Sequence, residues 1–207
     1  MKKIFYTFLV ILLLVLCLIF FLPKKEKNDN MNSIKIAEVT HSVFYSPLYV
    51  AIEEGYFNEE NIDIKLILTP GADKVSAAVL SGDVQIGFAG AESAIYVYEK
   101  NEKDYLQIFS GLTKRDGQFI LGRKDKKDFS LKDLYGKEIL VGRSSGMPAL
   151  NFLNALKNEE IDKNKIKINY NIDFASLSGA FIGNTGDYVN LFEPTALKLE
   201  KEGYGYV

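Results

Sequence analysis

Five short segments of this chain share one design: small or polar residues directly after an apolar run and directly before a helical one. They are Thr40 to Ser46, Pro70 to Asp73, Gly90 to Ser93, Arg143 to Met147, and the pair Glu193-Pro194. In such a place the free N–H groups of a helix start can receive an anionic or carbonyl oxygen. Arg143, at the end of an apolar strand, can hold an acidic ligand, or pair with Glu193 or with solvent. His41 can donate a hydrogen bond to a ligand or stand solvated. Phe44, Tyr45 and Phe181 can stack on a flat ligand, core packing being the alternative for the two phenylalanines. Glu92 and Asp73 suit capping or solvation, or an amine ligand. Taken singly, each loop is ordinary turn chemistry. Five at corresponding strand ends point to one shared site, which includes Thr40, His41 and Arg143.

The elements that must position these loops occur twice. Strand Ile34 to Val39 is followed by a loop, Pro47, a helix to Glu54, and strand Ile64 to Leu68. Roughly a hundred residues later, strand Glu138 to Gly142 is followed by a loop, Pro148, a helix to Lys157, and strand Lys165 to Tyr170. Each copy then continues with an apolar helix, a Gly-Asp pair and a further strand: Gly82-Asp83 before VQIGFA, and Gly186-Asp187 before YVNLF. Ser46 and Pro47 read as N-cap and first-turn residue, and Gly55 as the stop of that helix. Ala149, Phe152, Leu153 and Leu156 recur at helical spacing and give one apolar face. Strands alternating with helices predict mostly parallel sheets covered on both sides, which bind ligands beyond the carboxyl ends of their strands.

Composition removes several alternatives. With 25 Lys+Arg against 27 Asp+Glu, the net charge of -2 offers no basic excess for a phosphate backbone, so nucleic acid is not an expected partner. Cys17 and His41 are the only residues of their kinds. Zinc sites built from Cys and His, internal disulfides and most nucleophilic triads therefore lack parts. No cofactor and no metal are expected, and no enzymatic activity.

The N-terminus speaks of a membrane. Ile4 to Leu22 carries no charge, and at about 1.5 Å per residue it nearly matches a hydrocarbon core of about 30 Å. Residues 4–22 are expected to reach the membrane as an anchor or signal helix. The alternative route is lipid attachment at Cys17, against which stand the bulky Val15 and Leu16 where small residues are usual.

Four blocks carry a family resemblance: SPLYVAIEEGYFNEENIDIKL, GADKVSAAVLSGDVQIGFAGAES, GMPALNFL and FIGNTGDYVNLFEPTALKLEKEGYGYV. In these the chain resembles the substrate-binding proteins of ABC importers for sulfonates, nitrate, taurine and thiamine-pyrimidine precursors. The resemblance implies an α/β, two-lobed, periplasmic-binding-protein-like (type II) fold. Residues 1–33 would be anchor or signal and linker, 34–120 the first lobe, and 121–207 the second. It implies a small-molecule solute in the cleft, ABC permease and ATPase subunits as partners, and a place at the extracytoplasmic face of the cell membrane. On this pattern Tyr45, Ser46, Gly90, Ala91, Glu92, Ser93, Ser145, Gly146, Met147 and Glu193 match ligand-facing positions. Family members continue past the equivalent of Tyr204 to Val207, so the second lobe is expected to be incomplete, ending near a return crossover. A synthase of the thiamine pyrimidine on the same fold, and a ligand sensor, are the competing functions; the cysteine-rich motif of the first and any DNA-reading segment of the second are missing here.

Overall fold

The computed structural model describes residues 31–100, 103–114 and 117–207. Residues 4–22 and Cys17, the expected anchor, lie outside the described residues. Among the described residues no helix is long and apolar enough to cross a membrane.

Among the described residues seven strands form two sheets. The first is built from β1 (Asn32–Glu38), β2 (Ile62–Leu68) and β3 (Ile86–Phe88), in the order β2-β1-β3 and all parallel. The second is built from β4 (Gln118–Gly122), β5 (Glu138–Leu140), β6 (Lys167–Asn169) and β7 (Tyr188–Phe192), in the order β4-β7-β5-β6. Here β5 is parallel to β6 and β7, while β4 runs antiparallel to β7.

The repeated plan is present in register as well as in order. In each copy the first strand lies between the second and third. Ile34 pairs with Ile64 and Ile36 with Ile86; Glu138 pairs with Lys167 and Ile139 with Tyr188. The spacings between partners therefore agree to within one residue between the copies. In each copy the residue just before the third strand ties to an amide of the first: Lys35 N–H donates to Gln85 Oε1 and Glu138 N–H to Asp187 Oδ2, both at 2.9 Å. Gly82 and Gly186 hold φ of 79° and 72° just before the third strand, a conformation that costs glycine little. The expected division at 120/121 falls inside β4, whose five residues all pair with β7.

Helices α1 (Ser46–Glu53) and α2 (Tyr56–Glu59) follow β1, α3 (Ala72–Leu80) follows β2, and α4 (Glu92–Glu99) follows β3. In the second copy α5 (Met147–Asn158) follows β5, α6 (Leu177–Ile182) follows β6 and α7 (Thr195–Lys201) follows β7. Pro47 and Pro148 both stand in the first turn of their helices, where the missing N–H costs no hydrogen bond. Gly55, at φ 82°, ends α1 as the spacing predicts. Ser46 does not cap α1. A 3-10 turn, Val43–Tyr45, intervenes; Ser42 caps that turn, and the Ser46 hydroxyl folds back onto the Val43 carbonyl oxygen.

The second sheet is covered on both faces. Ala149, Phe152 and Leu156 of α5 pack with Ile139 and Val141 on one side, and Leu177, Phe181, Ala196 and Leu199 pack with Leu121, Leu140 and Val189 on the other. Phe181 is thus core, with the Arg123 guanidinium 4.0 Å above its ring, and not a stacking surface for a ligand. The first sheet has a smaller core, Ala37, Val75 and Val84, and neither α1 nor α2 buries a residue fully.

Candidate functional site

The strand ends of both sheets open on one cavity of about 870 Å³. Parallel strands put every strand-to-helix loop at the same edge, so loops distant in sequence converge there without special provision. Of the expected site residues, Thr40, Tyr45, Gly90, Ala91, Glu92, Ser93, Arg143, Gly146 and Met147 line this cavity. His41, Ser46, Ser145 and Glu193 do not. Ser46 is turned into its own helix start, as above, and Ser145 is half-buried away from the cavity wall. The Glu193 carboxylate caps α7 instead, accepting the Leu197 N–H at 3.0 Å. His41 is turned back onto Glu38, whose Oε1 lies 3.1 Å from its Nδ1, and its ring stacks on Tyr49.

Three contacts cross from the loops of the first sheet to those of the second. The Phe44 ring stacks on Phe192, 5.0 Å between centroids, and Phe192 leans on Phe174 at 4.8 Å. Glu92, 6% exposed, accepts the Met147 N–H through Oε1 at 3.0 Å. The first amide of α5, which the sequence offers to a solute oxygen, is therefore held by a carboxylate of the protein itself. Gly90 makes this possible: a Cβ there would lie 2.0 Å from Glu92 Oε2.

The third contact is ionic. Arg143 Nη2 donates to Asp73 Oδ2 at 2.6 Å and Nη1 to Asp173 Oδ1 at 3.4 Å. Glu193, the partner that the sequence suggests for it, is engaged elsewhere. Asp73, foremost through its hydrogen bond, raises the Arg143 pKa above the ordinary guanidinium range. Arg143 Nε is buried with no acceptor among the described residues.

Sequence reasoning misses much of the aromatic wall. Phe88, Phe174 and Phe192 line the cavity beside Phe44 and Tyr45, and Tyr45 meets Phe88 edge-on at 4.5 Å. A signal exists in the repeat: Phe88 closes β3 and Phe192 closes β7, corresponding strands of the two copies. Asn151 of α5 and the stretch 104–114 also line the cavity, and nothing in their spacing marks them. Among the described residues no group of three or more His, Cys, Asp or Glu could hold a metal ion.

With fold and cavity in hand, comparison with known proteins is decisive for the family. The family model described as NMT1/THI5 like matches residues 43–204. The chain belongs to the NMT1/THI5-like family. It is 41% identical over 191 residues to a Bacillus subtilis (strain 168) protein named "Putative binding protein YtlA", covering 92% of this chain and 57% of that protein. The chain thus spans little more than half the length of this curated relative. Among solved structures it resembles the alkanesulfonate-binding protein SsuA from Xanthomonas axonopodis pv. citri bound to MOPS. That likeness has a TM-score of 0.65 at 18% identity, over 84% of this chain and 59% of that one. It also resembles the periplasmic aliphatic sulphonate binding protein SsuA from Escherichia coli, with a TM-score of 0.61 at 14% identity, over 85% and 59%. At such identities these likenesses establish the α/β fold of periplasmic binding proteins for this NMT1/THI5-like chain.

Proposed function

We propose that this chain is the solute-binding component of an ABC importer, working at the extracytoplasmic face of the membrane. It holds a small organic solute between two α/β lobes and delivers it to a permease driven by an ATPase. The solute classes in view are sulfonates, nitrate, taurine and thiamine-precursor-like molecules. Residues 4–22 anchor it to the membrane.

The observation that carries the reading is the convergence of loops from both copies of the repeat on one cavity. A solute there touches both lobes at once, so binding energy can act on their relative position. Phe44, Tyr45, Phe88, Phe174 and Phe192 supply apolar walls, and the partly exposed side chain of Arg143 supplies a cation for a solute oxygen. The single imidazole of the chain is engaged by Glu38 outside the cavity, which supports binding over acid-base catalysis. The names of the relatives, a binding protein and two sulfonate-binding proteins, support the same class.

The test is thermal unfolding of the purified full chain against a panel of alkanesulfonates, taurine, nitrate and aminopyrimidines. A solute that binds the native state raises the midpoint in proportion to the logarithm of its concentration. A shift by one of these, lost when the cavity is blocked, is the expected outcome. No shift from any class at millimolar concentration contradicts the solute assignment.

A further inference from the structure

The end of β1 carries an acid that the cavity does not use. Glu38 is 3% exposed and does not line the cavity. Its Oε2 accepts the Tyr49 hydroxyl at 2.7 Å, and its Oε1 lies 3.1 Å from His41 Nδ1. The Tyr49 oxygen in turn accepts the Ser42 N–H at 3.1 Å, and the His41 ring stacks on Tyr49 at 4.3 Å. One buried carboxylate thus ties together a strand end, the loop that follows it, and helix α1.

Burying a carboxylate is costly, and an apolar side chain of similar size would fill the same space without that cost. What the carboxylate adds is two acceptor oxygens that reach two donors at once. The two donors, His41 in the loop and Tyr49 in α1, stand on either side of the residues that form the cavity wall. Phe44 and Tyr45 lie two and three residues past Ser42, whose carbonyl oxygen accepts the Tyr45 N–H at 2.9 Å and whose hydroxyl accepts the Phe44 N–H at 3.2 Å. Fixing Ser42 therefore fixes both aromatic residues.

We propose that Glu38 is a positioning residue for the solute site, which through Tyr49 and His41 holds the loop 40–45 so that Phe44 and Tyr45 face the cavity before a solute arrives. Ordering the wall in advance removes that entropy cost from binding. Its effect on affinity rests on the solute-site reading given above; its effect on the loop does not.

The experiment compares wild-type full chain with Glu38→Met and Glu38→Gln. Met fills the volume and accepts nothing useful. Gln restores both links, its carbonyl accepting from Tyr49 and its amide donating to the other tautomer of His41. Two readouts are taken: amide hydrogen exchange of the protein without added solute, and the amount of small molecule retained from a filtered low-molecular-weight cell extract. In Glu38→Met, exchange at Ser42 and Tyr45 should rise at least about tenfold while β5 and β7 are unaffected, and retention should fall about tenfold. Gln should restore both. If Glu38→Met does not fold, Tyr49→Phe keeps the ring and removes the hydroxyl link, with the same expectation at Ser42. Unchanged loop exchange in the variants overturns the positioning role. A loosened loop with unchanged retention overturns its link to binding. A wild type that retains nothing, with loop exchange responding as expected, overturns the solute-site reading and leaves the assignment of Glu38 to the loop intact.

Discussion

The rings of Phe44 and Phe192 lie 5.0 Å apart and within 7° of parallel, one from the turn after β1 and the other from the last position of β7. They join the loops of the two sheets at the cavity wall. Phe192→Ala and Phe44→Ala should each destabilise the chain. In a double-mutant cycle the pair should show a coupling of about 0.5–1.5 kcal/mol beyond the sum of its parts. Urea unfolding of the two single variants and the double variant measures it. Strict additivity would mean that the rings do not meet in solution.

Arg143 and Asp73 also join loops of the two sheets, but both side chains are about two-fifths exposed, at 39% and 40%. Such a pair contributes about 0.2–1 kcal/mol and is screened by salt. Asp73→Asn should therefore cost little stability at low ionic strength and almost none at molar salt, as urea midpoints at the two salt levels will show. A large loss that persists in salt would assign the pair a role beyond surface pairing.

Tyr49 supplies a prediction in pH. Burial first, and the hydrogen bond to Glu38 second, push its phenol up to about 12 from an ordinary 10.0. A raised phenol pKa favours the protonated, folded form, so the associated stability is fully present below about pH 10 and is lost as pH rises through about 12. Burial raises Tyr170 and Tyr188 in the same direction. Denaturant midpoints between about pH 9 and pH 12 should fall less steeply in Tyr49→Phe than in the wild type. Identical slopes would indicate that Tyr49 is not held as a hydrogen-bond donor in solution.

How much of this the sequence reveals depends on the range of the interaction. The repeat, the order of its elements and both proline positions follow from local patterning, and the bounds of the expected strands differ from those observed by at most two residues, whereas β4 is not expected at all. Nine of the expected site residues line the cavity, since parallel topology gathers the strand-end loops at one edge of each sheet and the two edges meet. The failures are side-chain orientations. Glu193 caps its own helix and His41 folds onto Glu38, choices made by neighbours three or four residues away that loop composition does not encode. Phe192 is legible only by comparing the two copies of the repeat, and nothing in the spacing around Asn151 marks it as a cavity residue.

If the cavity between the two sheets holds a small solute, filling it with a side chain must expel that solute. At Gly146 the backbone is extended, and an added Cβ would meet only Arg143 O at 3.4 Å and Pro148 Cδ at 3.6 Å, so a large side chain can be introduced there without backbone strain. The measurement is mass spectrometry of small molecules released on denaturation, after wild type and Gly146→Trp have been incubated with the same low-molecular-weight extract and washed. One organic species should be retained near equimolar by the wild type and at least about tenfold less by the variant, a difference of about 1.4 kcal/mol or more. Equal retention of that species by both would contradict a solute in this cavity.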